Sequence, residues 1–76
     1  MKFEYSFHWK KQKEYRPEIT DDIIELCIRN SEKLKDRKWI NAHNAIARIP
    51  LLGRTLKVVY REKSKSIKII TAYWLN

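Results

Sequence analysis

Apolar and polar positions alternate most clearly between Arg54 and Leu75, RTLKVVYREKSKSIKIITAYWL, where two β-branched and aromatic runs flank the polar EKSK. Such side chains pack well on a pleated surface, so the runs predict two strands of a hairpin. The joint contains no Gly, which predicts a three- or four-residue loop rather than a tight primed turn. Successive strand residues point to opposite sides. Leu56, Val58 and Tyr60 therefore share one side of the first strand, and Thr55, Lys57, Val59 and Arg61 the other. On the second strand Ile67, Ile69, Thr71 and Tyr73 share a side, opposite Lys68, Ile70, Ala72 and Trp74. A four-residue loop pairs Arg61 with Ser66, Tyr60 with Ile67 and Val58 with Ile69. Leu56, Val58, Tyr60, Ile67 and Ile69 then form one apolar face. The second face mixes Lys57, Arg61 and Lys68 with Val59, Ile70 and Trp74, and a one-residue slip would exchange the sets. Lysines on one face are usual for a half-solvated antiparallel sheet; a phosphate-binding surface is the sharper reading.

Upstream, MKFEYSF alternates weakly and predicts a first strand. HWKKQKEYR follows, rich in helix formers, with Ser6 as its cap. Arg16 precedes Pro17, and residues before proline avoid the helical region, so this helix should end near Tyr15. The second helix starts at Thr20, an N-cap, with Asp21 and Asp22 favourably placed at the positive end of the helix dipole. Ile23, Leu26 and Cys27 form its apolar stripe, widened by Ile24 and Ile28, and Asn30 and Ser31 stop it. Residues 32–41 and 42–52 read as extended segments. The first has Leu34, Trp39 and Ile40 as its apolar positions, and the second Ile46, Ile49, Leu51 and Leu52. Pro50 excludes a regular central strand at that point, and Gly53 suits a turn. The order β-α-α-β-β-β-β predicts an α+β domain spanning 1–76, with two N-terminal helices packed on one face of an antiparallel sheet.

Composition sharpens this reading. Seventy-six residues support one small core. The single cysteine, Cys27, excludes an internal disulfide and a cysteine metal cluster, and it sits among core positions. With no secretory or membrane-spanning apolar run, the expected location is the cytoplasm. The net charge is +8, and it is lopsided. Residues 1–36 hold eight basic and eight acidic side chains; residues 37–76 hold nine basic and only Glu62 acidic. The whole excess lies in the sheet half, which favours a polyanion. An acidic protein or anionic lipid would also be drawn to it, but no cationic amphipathic helix supports lipid.

The chemistry-bearing residues are few. His8 and His43 are far apart and lack a carboxylate cluster, so no metal is expected. No glycine-rich phosphate loop and no paired nucleophile and base are found, and no cofactor is expected. Arg, Lys, His, Tyr and Thr remain, a set that suits metal-free RNA cleavage. A ribose 2′-oxygen attacks the adjacent phosphate, a base takes its proton, and an acid protonates the leaving 5′-oxygen. Cations hold the developing charge. His8, Gln12 and, if the helix extends that far, Arg16 are spaced four apart and would share a helix face, with Tyr15 beside them. Imidazole titrates near neutrality, which makes His8 the acid–base candidate. The structural alternatives are a helix-start histidine, an Arg16 paired with Glu18 or Asp21, and a surface His43. Arg48, Arg54, Lys57 and Arg61 cluster at the strands, although each alone is an ordinary surface charge. Tyr73 and Trp74 could stack on bases or pack. Thr71 would face the helices, where its hydroxyl needs a partner.

The helix-borne His8, the Arg16 ahead of EITDDIIELCIRN, and the hairpin LKVVYRE…IKIITAYW together resemble small toxins of the RelE-like ribonuclease superfamily, which includes barnase and colicin nucleases. That resemblance implies two helices against an antiparallel sheet, metal-independent endoribonuclease activity on mRNA, free or on the ribosome, and neutralisation by a small acidic antitoxin. The residues that match are His8, Arg16, a strand arginine (Arg48 or Arg61), Thr71 and Tyr73. Lys57, Arg54, Lys68 and Trp74 are the expected RNA contacts. Two other readings use the same basic face: a non-catalytic RNA- or DNA-binding module, and an interaction protein for an acidic partner.

Overall fold

A computed structural model describes residues 2–31, 33–35, 41–50 and 52–75, with only the backbone of 33–35. Trp39, Ile40 and Leu51, read above as apolar positions, lie outside the described residues, as do the first residue of MKFEYSF and the Leu34 side chain. The elements are β1 (Lys2–Tyr5), α1 (Phe7–Gln12), a 3₁₀ turn (Lys13–Tyr15), α2 (Asp21–Asn30), β2 (Lys33–Lys35), β3 (His43–Ile49), β4 (Arg54–Lys63) and β5 (Ser66–Trp74). This is the expected order in an α+β chain.

The sheet itself corrects the expectation. Its strand order is β1-β5-β4-β3-β2, and β1 runs parallel to β5, pairing Lys2 with Ser66 and Tyr5 with Ile69. The sheet is mixed, not antiparallel. Parallel neighbours need a long crossover, and here everything from α1 to β4 lies between the two strands. Weak alternation in MKFEYSF marked a strand but carried no information about its direction.

The helix ends fall where the sequence places them. Ser6 Oγ accepts from the Trp9 amide at 3.1 Å, and Thr20 Oγ1 accepts from the Ile23 amide at 3.3 Å. Each side chain satisfies one of the amides that a helix N-terminus leaves open. Pro17 keeps Arg16 out of helical geometry, and the helical run stops at Tyr15. At the other loop, Gly53 adopts φ 62° and its amide bonds Ile49 O at 2.9 Å, closing the turn after Pro50.

The larger of two buried clusters among the described residues holds the helices to the sheet. Trp9, Ile24 and Cys27 are fully buried with Leu56, Val58, Ile69 and Ala72. Leu26 is not among them; it is 46 % exposed, which corrects the predicted stripe. At about 100° per residue, Leu26 points well away from the line through Ile24, Cys27 and Ile28. Those three, with Ile23, face the sheet. Cys27 Sγ lies 3.5 Å from Ala45 O and 3.6 Å from Leu56 O, which seats α2 across β3 and β4. No helix among the described residues is long and apolar enough to cross a membrane.

Candidate nucleic-acid interface

The hairpin register decides what the basic face contains. The loop is two residues, Ser64 and Lys65, and Lys63 pairs with Ser66. It is shorter than expected, and neither residue has positive φ, so it is not a primed turn. Tyr60 consequently pairs with Ile69, two positions from the expected Ile67. A two-residue shift preserves the faces, so Leu56, Val58, Tyr60, Ile67 and Ile69 do join one apolar face.

A bulge then changes the second half of β5. Val59 pairs with Thr71 and Tyr60 with Ile69, which leaves Ile70 as the extra residue. An extra residue breaks strict alternation. Ala72 and Trp74 turn to the core face, where Ala72 is buried and Trp74 packs at the margin. Thr71 and Tyr73 turn to the outer face, away from α2. Both assignments reverse the period-2 expectation. Val59 and Ile70 are buried on the outer face in a small cluster with Ala42.

Cations lie along the outer face around that cluster. Lys57 pairs with Tyr73, and its Nζ lies 5.6 Å from the ring centroid. Arg61 stands directly opposite Lys68, and Arg48 opposite Thr55. Lys2 and Lys63 complete the β1 end, flanking Ser66. Glu4 is set among them, opposite Lys68 and 3.8 Å from Lys63 Nζ. A hydrogen bond from Ser66, then the Lys63 charge, hold its carboxyl below the usual range. Sequence reading missed Glu4, although it is the only acid in the first strand.

At the bulge, side chains take over from β1 in covering the edge of β5. Ser6 N donates to Ile69 O at 2.8 Å, and Ser6 Oγ donates to Ile70 O at 2.9 Å. Arg16 Nη1 donates to Ala72 O at 3.0 Å and to Gln12 Oε1. Thr71 Oγ1 donates to that same Gln12 Oε1 at 3.0 Å. Thr71 thus has the partner its burial requires, reached from the opposite face to the one expected. Arg16 pairs with neither Glu18 nor Asp21. His8 is exposed on α1, one turn from Gln12 and on its face.

The remaining expected contacts lie elsewhere. Arg54 bonds Glu18 Oε2 at 2.8 Å and stacks over the Trp74 ring at 4.3 Å, on the core-face margin. His43 opens β3 half-buried, its ring 5.8 Å from that of Tyr60, so it is neither a loop nor a surface residue. The structure therefore brings Arg48, Lys57, Arg61, Lys68, Thr71 and Tyr73 to one face, with His8 and Gln12 on the bordering helix. Arg16 meets them only through the Gln12 Oε1 that it shares with Thr71, and Arg54 and Trp74 lie on the core-face margin. Among the described residues no group of His, Cys, Asp and Glu is placed to hold a metal. No protein-family model, curated protein or solved structure matches the chain.

Proposed function

We propose that the chain binds RNA on the outer sheet face and cleaves it without a metal, as a toxin of the RelE-like kind with that superfamily's helix-on-sheet arrangement. The pairing of Arg61 directly opposite Lys68 carries this reading. The pairing sets these cations in one row with Lys57 and Arg48, which Glu4 offsets only in part, and a polyanion bound along the row releases counterions. Lys57 beside Tyr73 offers a second cation with a ring on which a base can rest. His8 is the acid–base group. Lys57, Arg61 and Arg48 hold phosphates, and a small acidic antitoxin fits the same charge.

The non-catalytic module is the second reading, favoured by one observation. Arg16 and Thr71 are already engaged in clipping α1 to β5, which leaves His8 to carry the chemistry. One experiment separates the two readings. Purified protein, freed of any inhibitor, is incubated with naked and ribosome-bound RNA in EDTA. Cleavage leaving a 2′,3′-cyclic phosphate and a 5′-hydroxyl is expected, and His8→Ala should slow it by about 10²-fold or more while binding persists. Salt-sensitive binding without cleavage would establish the module instead.

A further inference from the structure

Beyond the outer face, a cleft of about 220 Å³ opens where β5 ends, lined by Tyr15, Arg16, Pro17, Glu18, Arg54 and Trp74. Its volume falls below the roughly 300–1,000 Å³ of pockets that enclose a whole drug-sized ligand, so it suits a single ring system. One wall is a stack already formed, with the Arg54 guanidinium 4.3 Å from the Trp74 ring centroid. Glu18 holds that guanidinium in place at 2.8 Å. Beside it, Pro17 ends the helical run, and Tyr15 is 85 % exposed. Aromatic rings and guanidinium planes are the surfaces on which unpaired bases stack. The Glu18 carboxylate only accepts hydrogen bonds, and it disfavours an anionic occupant while suiting the amino or imino edge of a base. The cleft lies across the end of β5 from the cationic face: Tyr73, paired with Lys57, points to one side and Trp74, the next residue, to the other, so a strand of RNA reaching both passes around the strand end.

We infer that this cleft takes one unpaired nucleobase of bound RNA, with Tyr15 as the stacking partner; the inference rests on the RNA-binding reading above. The test uses the full chain and a short single-stranded RNA carrying 2-aminopurine, whose fluorescence falls on stacking. Wild type should quench the probe at saturation. Tyr15→Ala should lose that quenching and bind about 5-fold or more weakly, the scale of one lost base–aromatic stack, at unchanged Tm. Tyr15→Phe should keep both. Lys57→Ala should weaken binding yet quench fully once saturated. Equal quenching by wild type and Tyr15→Ala overturns the cleft, as does RNA binding without quenching, and either leaves the RNA-binding reading standing. Absence of any RNA binding overturns both.

Discussion

Arg16 directs its charge at a backbone carbonyl rather than at solvent. Its bond to Ala72 O occupies an acceptor on the sheet edge that would otherwise look outward. A hydrogen bond from a charged donor contributes about 1.5–3 kcal/mol. Arg16→Ala should lower unfolding free energy by that order in chemical denaturation. Arg16→Lys should restore only part, since an ammonium cannot span Gln12 and Ala72 as a planar fork does. An unchanged midpoint in Arg16→Ala would refute the clip. Cys27 sets a pH limit. Burial pushes its thiol from 9.0 up to about 11. As pH rises the unfolded chain therefore loses this proton first, so stability declines from about pH 9 and levels near 11. Tyr5, raised to about 12 first by burial and then by Asp21, acts the same way over a higher window. Denaturation across pH 8–11 should show Cys27→Ala with a shallower decline than wild type.

At the scale of elements, α1 is the informative one. It has six residues, and isolated helices shorter than ~12–15 residues are marginal in water. Docking, not propensity, must hold it: Trp9 is fully buried, and Ser6 and Gln12 bond β5. Trp9→Ala should cost about 3–5 kcal/mol and strip hydrogen-exchange protection from α1 before the β4–β5 hairpin. Equal loss in both elements would show that α1 is not a separately docked unit. Within HWKKQKEYR no apolar partner sits three or four residues from Trp9, so no stripe announced it. The bulge at Ile70 was equally hidden, because KIITAYW reads as uninterrupted alternation. Caps and stops, by contrast, are local chemistry and were legible at Ser6, Thr20, Asn30 and Pro50.

For the whole molecule, the charge imbalance becomes a surface only once the strands are paired. If Lys57 and Arg61 touch phosphates, RNA affinity should fall steeply with salt. Each Ala substitution should flatten the logarithmic slope by about one contact. Slopes unchanged in both variants would remove the outer face as the binding surface. Glu4 predicts the opposite sign: Glu4→Gln should tighten binding and steepen the dependence, because it removes the one carboxylate set between Lys63 and Lys68.

The sequence alone determined the α+β class, the order of the elements, their capping residues and the concentration of positive charge in the hairpin half. These follow from local propensity, from periodicity and from counting. Tertiary structure decided the parallel placement of β1, the burial of Trp9 and the exchange of Thr71 and Tyr73 for Ala72 and Trp74 between faces. It also sent Arg54 to Glu18 and Arg16 to the β5 edge, away from Lys57 and Arg61. Strand direction, a one-residue bulge and the reach of a long side chain depend on partners distant in sequence, and alternation along one strand does not encode them.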